Sequence, residues 1–430
     1  MAIARGLIAG FLLLAAPVTP AAGQSVADLQ ATAPALEKNL TQNILKFWYP
    51  GTLDGEHGGF LIDHDAQGRF KGEGPKAIVT QARMVWLSAR LVREGRGGAA
   101  MAEAARQGYR FLLDKMWDRE FGGFYWEVDR TGTRIVHPNK HLYGQAFGLY
   151  AIAEYARATR NPAAVEDARR LFDLLEAKAH DSANGGYREF FGRDWGPAPP
   201  EARPYLGGTA DLKLMNTHLH LMEALTALYR ADPSPRVALR LSELITIQSN
   251  TVVRKAIGAC TDQYAADWTP KLDGTAARAS YGHDLENIWL LVDALDALGQ
   301  SASPLRDLFN QLFAYSLANG YDQANGGFYD SGPLGQPADR RDKVWWVQAE
   351  ALVSALTMYR LTGDPQYAQV YLKTWAFTDT VQTDWTAGEW HPTVTPDGRG
   401  TGEKANRWKA GYHNGRAMLE ALRLLKALPD

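Results

Sequence analysis

The chain has 430 residues, of which 46% are hydrophobic and 22% are charged. This composition can bury a large core, which excludes a disordered or fibrous protein. The formal net charge of -2 provides no general attraction for nucleic acid, so we expect no nucleic-acid partner. The single cysteine, Cys260, excludes an intrachain disulfide and a thiolate metal cluster, and we expect it in the core.

The N-terminal residues are typical of a secretory signal. Arg5 precedes an apolar run over residues 6–16, and small residues follow at 21–23. This pattern predicts a signal peptide over residues 1–23 and an exported protein, periplasmic or secreted. A membrane anchor is the alternative, but it requires roughly 20 apolar residues, and proline interrupts this shorter run. We therefore expect no membrane contact after cleavage.

A Gly-Gly-aromatic turn recurs along the chain. The four clear copies are Gly58-Gly59-Phe60, Gly122-Gly123-Phe124, Gly185-Gly186-Tyr187 and Gly326-Gly327-Phe328. The last interval is about twice the others, which predicts a missing copy near residues 259–262. Gly388-Glu389-Trp390 is a degenerate further copy. The sequence therefore predicts six repeated units.

A second series supports this count, because a capping side chain precedes a proline at four places, as at the start of a helix. These pairs are Asn161-Pro162, Asp232-Pro233, Ser303-Pro304 and Asp364-Pro365. Apolar residues at helical spacing lie between the two series. Six helix pairs can form an open solenoid or a closed (α/α)6 barrel, and the lack of polar capping repeats favours closure. We predict an all-α (α/α)6 barrel, one domain over residues 24–430, with short β-hairpins or extended loops at one end.

The helices that follow the aromatic turns begin with polar and aromatic residues, which are costly to bury unless they are paired or functional. If these helices form the inner ring, their N-terminal ends converge on one mouth, the usual place for a ligand. The candidate site residues are Arg83, Tyr143, Asn216, His220, His283, Glu286, Trp346, Trp408 and His413. A single histidine is more often structural, but the joint placement of three favours a site.

Spacing on a helix separates these histidines from the others. His218 and His220 are two apart and point to opposite sides, which disfavours a metal site and predicts a hydrogen-bonded core position for His218. Asn216 and His220 are four apart and share a face. Glu286 is three residues after His283, so we expect its carboxylate to orient the imidazole. We expect the remaining histidines, His57, His64, His137 and His391 in turns and His180 at the end of an outer helix, to be structural or surface residues.

Four segments, 216–220, 282–286, 345–350 and 412–414, resemble those of the N-acylglucosamine 2-epimerase family and, within it, most closely the cellobiose 2-epimerases. The resemblance extends from about Phe47 to about Leu425. It implies an (α/α)6 barrel that interconverts sugars epimeric at C2, or isomerises aldose to ketose, without metal or nicotinamide. It implies an acid/base pair of His283 and His413, enediolate contacts from Arg83, Asn216 and His220, sugar stacking on Trp346 and Trp408, and support from Tyr143 and Glu286. The export signal departs from the intracellular norm of the family.

The chemistry suits these residue types. Removing a proton from C2 of an open-chain aldose requires a base active near neutral pH, which histidine supplies. The resulting enediolate requires hydrogen-bond donors. We therefore expect a 2-epimerase that acts on a reducing-end aldose, as in cellobiose or mannobiose. A mannose isomerase or a monosaccharide 2-epimerase is the alternative within the family.

Two other classes remain open on the sequence. A glycoside hydrolase would use two carboxylates among Asp284, Glu286, Glu350 and Glu389. A non-catalytic sugar-binding protein would use the tryptophans alone. For each reading the partner is a small carbohydrate, no cofactor is expected, and the protein is a monomer or homodimer. Residues 194–212 and 332–343, rich in Gly and Pro, are predicted to form walls of the entrance.

Overall fold

A computed structural model describes residues 25–72 and 74–429, so the predicted signal peptide lies outside the described residues. The described residues form fourteen α-helices: α1 (Val26–Gln30), α2 (Ala33–Lys38), α3 (Lys46–Trp48), α4 (Ile78–Arg93), α5 (Gly98–Phe111), α6 (Leu142–Thr159), α7 (Pro162–Lys178), α8 (Met215–Ala231), α9 (Pro235–Thr246), α10 (Tyr281–Ala297), α11 (Arg306–Gly320), α12 (Trp345–Thr362), α13 (Pro365–Phe377) and α14 (Tyr412–Lys426). Short π-helical stretches continue α2, α5, α9 and α13. Within the described part of the chain, no helix has both the length and the apolar character to cross a bilayer.

Six helices form a closed inner ring, in which α4, α6, α8, α10, α12 and α14 each contact the next and α14 contacts α4. The remaining long helices pack outside this ring, and the α2–α3 segment packs against α14. Burial follows this division. Every residue of α6 from Leu142 to Ala156 is buried, whereas α7 buries only one stripe that includes Ala164, Ala168 and Leu175. The predicted (α/α)6 barrel is confirmed.

Short antiparallel strands surround the N-terminal ends of the inner helices. They are β1 (Lys76–Ala77), β2 (Glu127–Val128), β3 (Ile135–His137), β4 (Lys140–His141), β5 (Phe190–Phe191), β6 (Lys213–Leu214), β7 (Val253–Arg254), β8 (Ala259–Cys260), β9 (Gln263–Tyr264), β10 (Arg278–Ser280), β11 (Ser331–Pro333), β12 (Lys343–Val344), β13 (Thr393–Val394) and β14 (Gly400–Thr401). The sheets are β1-β2-β3, β4-β5, β6-β9, β7-β8, β10-β11 and β12-β13-β14. The strand before each of the inner helices α4 to α12 thus pairs with the loop of the next unit.

The same pairing closes the ring. His64, in the first loop, pairs with Ala405, just before α14, and the His64 amide donates to the Ala405 carbonyl at 3.1 Å. His64 is therefore only 5% exposed, and its predicted surface position is wrong. The other turn histidines, His57, His137 and His391, are partly exposed.

A recurring hydrogen bond attaches the repeated turns to the inner helices, and in the three glutamine units the side-chain amide also donates to the carbonyl of the same turn residue. In five units, the amide of the turn's third residue donates at 2.8–2.9 Å to the side chain of the helix's fourth residue: Gln81, Gln145, His218, Asp284 and Gln348. A Cβ on Gly327 would lie 2.7 Å from the Gln348 Oε1, so this close approach requires glycine. The predicted core position of His218 is confirmed, since its Nδ1 also lies 2.7 Å from the Leu214 carbonyl.

The two irregular copies keep the hydrogen bond with different residues. In the fourth unit the turn is the β7–β8 hairpin, in which the buried Cys260 donates to Asp284. In the sixth unit Glu389 adopts a φ of 61° and its own Oε1 accepts the Trp390 amide at 2.9 Å. Asn414 holds this carboxylate by a hydrogen bond of 2.5 Å. Both predicted irregular turns are confirmed.

The predicted helix caps are confirmed in part. Asn161 and Asp364 cap α7 and α13 through their side chains. The cap of α9 is Ser234, not Asp232, because Pro235 is the first helical residue. Asp232 instead bonds Arg169, and Ser303 begins a 3₁₀ turn before α11.

Buried ion pairs brace four of the turns. A lysine just before the inner helix contacts an aspartate of the turn in the pairs Lys76–Asp54, Lys140–Asp118, Lys213–Asp181 and Lys343–Asp322, at 2.8–3.0 Å. The fourth unit has Ala279 and Arg254 at these two positions and lacks the brace.

Replacing Lys343 by Met tests one brace. The change leaves the buried Asp322 without its cation and removes a donor from the Gly326 carbonyl. We expect the free energy of unfolding to fall by about 3 kcal/mol in urea denaturation, because a buried charge loses its partner. Arg106→Met, which breaks an exposed pair with Glu103, should cost less than about 1 kcal/mol. Equal losses would contradict the structural role of the buried pair.

Candidate active site

A pocket of about 350 Å³ opens at the N-terminal ends of the inner helices. Its lining residues are Arg83, Tyr143, Tyr205, Leu206, Asn216, His220, Asp262, His283, Glu286, Trp345, Trp346, Trp408 and His413. All nine residues predicted from the sequence are among them. The sequence predicts Trp408 at the start of the last inner helix, but it lies in the loop before α14.

Two of the three histidines are oriented by carboxylates. His220 Nδ1 lies 3.0 Å from Glu223 Oε2, and His413 Nδ1 lies 2.7 Å from Glu350 Oε1. A carboxylate accepts, so Nδ1 carries the proton and Nε2 keeps a lone pair. Burial lowers the pKa of both imidazoles, that of His413 well below its usual value. Both side chains are therefore neutral bases at pH 7.

His283 lies in a different environment. Its ring packs against Trp346 with centroids 4.7 Å apart, and neither ring nitrogen bonds another described residue. Burial, together with the nearby His220, lowers the pKa of His283 to about 3. The expected orientation by Glu286 does not form, because the Glu286 carboxylate is turned to Arg416 instead.

Arg83 and Asn216 supply polar groups for a ligand. Arg83 donates to the Trp408 carbonyl at 2.6 Å and to the Tyr143 hydroxyl at 3.1 Å. Its Nε and the Oδ1 of Asn216 are buried without a partner among the described residues. Buried polar atoms in native proteins almost always have partners, so these two indicate a place for a polar ligand.

Behind the residues that line the pocket, one guanidinium lies among three carboxylates, a cluster that we call the floor, and of its four members Glu286 alone lines the pocket. Arg416 Nη2 lies 2.6 Å from Glu286 Oε1 and 2.7 Å from Glu350 Oε1, while Nη1 bonds Glu223. All four side chains are almost completely buried. Sequence reasoning missed Arg416 and Glu223, although each follows a candidate histidine by three residues and so shares its helix face.

Hydrogen-bond donors distinguish these three acids. Glu223 accepts from Arg416, Tyr412 and His220, and Glu350 accepts from Arg416, Trp289 and His413. Glu286 accepts from Arg416 alone, and its buried Oε2 has no partner among the described residues. One positive charge cannot compensate three buried negative ones, so the least solvated acid is the neutral one.

The pKa shifts follow the same order. Burial raises the pKa of Glu286 well above its usual value, and the neighbouring Glu350 adds to this effect. Burial also opposes ionisation of Glu223, but Arg416 and His220 outweigh it and lower that pKa to about 2. Burial also raises the pKa of Glu350, although that carboxylate accepts three hydrogen bonds. Together with the hydrogen bonds, these directions favour the proton on Glu286 and the negative charge on Glu223.

The donor set does not suit a metal ion. An oxygen of Glu286, an oxygen of Glu350 and a ring nitrogen of His413 lie within 4.8 Å of one another, which is close enough for shared ligation. However, Arg416 already bonds both carboxylates, and a divalent cation there would face its positive charge.

Loop residues complete the entrance. Tyr205 and Leu206, from the predicted wall 194–212, line the pocket, and Tyr205 stacks on Trp126 with centroids 4.3 Å apart. A second cavity of about 290 Å³ adjoins the pocket and shares Asp262, His283 and Trp346 with it. Its other lining residues include Ala276, Arg278, Ala279, Ser280, Asp330 and Arg340. The predicted wall 332–343 contributes Arg340, and the unit that lacks the lysine brace contributes Ala279.

The acids proposed for a glycoside hydrolase are mostly engaged elsewhere. Glu389 pairs with Lys409 at 2.6 Å, Asp284 accepts the Cys260 amide, and Glu350 holds His413. Of those four acids, only Glu286 lines the pocket. A pair of carboxylates flanking a glycosidic bond is therefore not formed by them.

The closed helical barrel and its histidine-lined pocket define an (α/α)6-barrel enzyme. The sequence model of the N-acylglucosamine 2-epimerase family matches residues 58–417. The cellobiose 2-epimerase of Bacteroides fragilis is 31% identical over 391 residues, which cover 90% of this chain and 97% of that protein. The D-mannose isomerase of Marinomonas mediterranea is 25% identical over 398 residues, covering 89% and 95%. The solved structure of cellobiose 2-epimerase from Spirochaeta thermophila superposes with a TM-score of 0.83 at 34% identity, covering 93% and 98%.

The chain belongs to the N-acylglucosamine 2-epimerase family and is an isomerase.

Replacing Arg416 by Met tests the charge arrangement of the floor. The variant leaves buried carboxylates without a cation, so we expect it to lose about 3 kcal/mol or more at pH 7. Their folded-state pKa values then rise above the unfolded values, which favours the folded state at low pH and disfavours it as the pH rises. The loss should therefore be larger at pH 8 than at pH 5 in urea denaturation. Arg423→Met, at a half-exposed site on the same helix, serves as the control. A loss independent of pH would contradict this account.

Proposed function

We propose that this protein inverts C2 of the reducing-end aldose of a β-1,4-linked disaccharide such as cellobiose or mannobiose. His283 and His413 exchange the C2 proton on opposite faces of a cis-enediolate. The family supports sugar epimerisation or isomerisation, and the relatives named for cellobiose support the disaccharide. The N-terminal sequence supports an exported enzyme.

One observation carries the proposal: two uncharged imidazoles on different helices approach the same tryptophan. The Trp346 ring lies 4.7 Å from His283 and 5.9 Å from His413 between centroids. A pyranose or open-chain sugar that packs on Trp346 would contact both histidines. Inversion requires proton loss from one face and proton return to the other, which two separate imidazoles can provide.

The other lining groups suit the intermediate. Arg83 and Asn216 line the same pocket, and the N–H groups of the guanidinium and of the side-chain amide would stabilise the negative charge that develops on O1 and O2. Arg83 is held in place by Tyr143 and by the Trp408 carbonyl, so little reorganisation is needed when the charge forms. Each fixed donor contributes about 3 kcal/mol to transition states of this kind.

Replacing either acid/base histidine by Phe tests the mechanism. With cellobiose in D2O, we expect the native protein to incorporate deuterium at C2 and to form the C2 epimer, as followed by NMR. His283→Phe and His413→Phe should each reduce the rate of epimer formation by about 100-fold or more, the usual contribution of a positioned acid or base. His180→Phe, outside the pocket, is the control and should keep full activity.

The products distinguish the alternatives. A ketose product would indicate aldose–ketose isomerisation, as in the related mannose isomerases, and release of free monosaccharide would indicate hydrolysis. Tight sugar binding without deuterium uptake would indicate a binding protein. Either Phe variant with normal epimer formation would refute the assignment.

The adjoining cavity supports a disaccharide. It shares three lining residues with the pocket and offers Ser280 and Asp330 to sugar hydroxyls. Ala276→Trp should fill this cavity, and we expect it to lower kcat/KM for cellobiose at least 10-fold while changing that for mannose less than 3-fold. Ala277→Trp, at the neighbouring residue that does not line the cavity, is the control. Equal effects of Ala276→Trp on both sugars would place the second ring elsewhere.

A further inference from the structure

The proposed chemistry at C2 requires an open-chain sugar, and the residues assigned so far do not explain how the sugar ring opens. Sugars bind mainly as closed rings, in which C1 carries no carbonyl group and the C2 proton is not acidic. Opening the ring requires a base for the O1 hydroxyl proton and an acid that protonates the ring oxygen, O5. His220, His283 and His413 are all neutral, so none of them is a strong proton donor.

Glu286 is the one acid of the floor with a free oxygen. Its Oε1 is fixed by Arg416 at 2.6 Å, and its buried Oε2 has no hydrogen-bond partner in the described part of the chain. The side chain lines the pocket together with His283 and His413. Glu223 and Glu350 each accept three hydrogen bonds, which stabilise their ionised forms. Glu286 is therefore the member of the group of three acids that holds a proton.

We infer that Glu286 is the general acid that opens the sugar ring, by donating its Oε2 proton to O5. The inference rests on the proposed function and adds a catalytic residue to it. The arrangement suits this role, because Arg416 stabilises the carboxylate that remains after the proton has left. Asp284 also has an unpartnered buried oxygen, but it lines only the adjoining cavity.

The protons balance over one cycle. As the C1–O5 bond breaks, Glu286 protonates O5, and the O1 hydroxyl gives its proton to one of the paired imidazoles while C1=O1 forms. The other imidazole, still neutral, removes the C2 proton to form the enediolate. The first imidazole, now charged, returns its proton to the opposite face of C2. On closure O5–H returns its proton to Glu286, and the second imidazole protonates O1.

This cycle explains how two neutral histidines catalyse inversion. A neutral imidazole cannot donate a proton to carbon, so one member of the pair must first be charged. Ring opening supplies that proton from the substrate itself. Glu286 therefore links ring opening to the protonation state of the acid/base pair.

An acyclic substrate separates ring opening from the chemistry at C2. In 4-O-β-glucopyranosyl-D-erythrose the reducing unit ends at C4, and O4 carries the second sugar, so its aldehyde cannot close on a ring. For Glu286→Gln we expect at least a 100-fold loss of C2 deuterium exchange with cellobiose. With the acyclic analogue the loss should be less than 5-fold. Both rates are measured by NMR in D2O.

Glu350→Gln is the matched control. It makes the same change of group on the same floor, but it removes the carboxylate that orients His413. We expect it to lose exchange with both substrates by similar factors. Thermal unfolding of both variants checks that each is folded, and a second variant, Glu286→Asp, should restore part of the cellobiose exchange.

The outcomes separate the two proposals. Native protein that exchanges C2 of no sugar overturns the proposed function. Native exchange with equal losses for Glu286→Gln on the cyclic and acyclic substrates overturns the role of Glu286 alone. Native protein that leaves the acyclic analogue unexchanged while it exchanges cellobiose also counts against that role.

Discussion

The structure depends on one hydrogen bond that recurs around the barrel, between a turn amide and a side chain near the start of an inner helix. This contact fixes where each inner helix begins, and therefore which residues its first turns present to the mouth. Arg83, His220, His283 and Trp346 each lie within two residues of such a fixed position. The site is thus assembled by six similar attachments rather than by one loop, and rigid helical scaffolds hold functional groups more accurately than loops do.

The barrel departs from its regular pattern at two places, one next to a second cavity and one at a cluster of buried charges. The fourth unit has a hairpin, an alanine and an arginine in place of the glycine turn and its lysine–aspartate brace, and there the pocket continues into a second cavity. In the floor, three acids surround Arg416. Both departures lie next to the candidate histidines, as expected if local regularity is relaxed where function is located.

The sequence predicted the barrel because the turns repeat. It predicted the nine pocket residues because polar residues start helices that are otherwise apolar and because the segments that contain them resemble those of a known family. It did not predict what each polar group bonds. Glu286 shares a face with His283, yet it bonds Arg416 from another helix, 130 residues away. Likewise His64 is in a turn, and its pairing with Ala405 across the closure helps to bury it. Contacts between distant units depend on how the ring closes, which local spacing does not encode.

Ring closure also determines when the pocket can exist during synthesis. Arg83 belongs to the first unit and His413 and Arg416 to the last, and Arg83 packs over Tyr412 at 5.2 Å. A chain still attached to the ribosome, with α14 inside the exit tunnel, has neither His413 in the pocket nor the cation that compensates Glu223 and Glu350. The inner face of α4 then lacks its final neighbour and remains uncovered. The complete pocket can therefore form only after α14 has docked against α4.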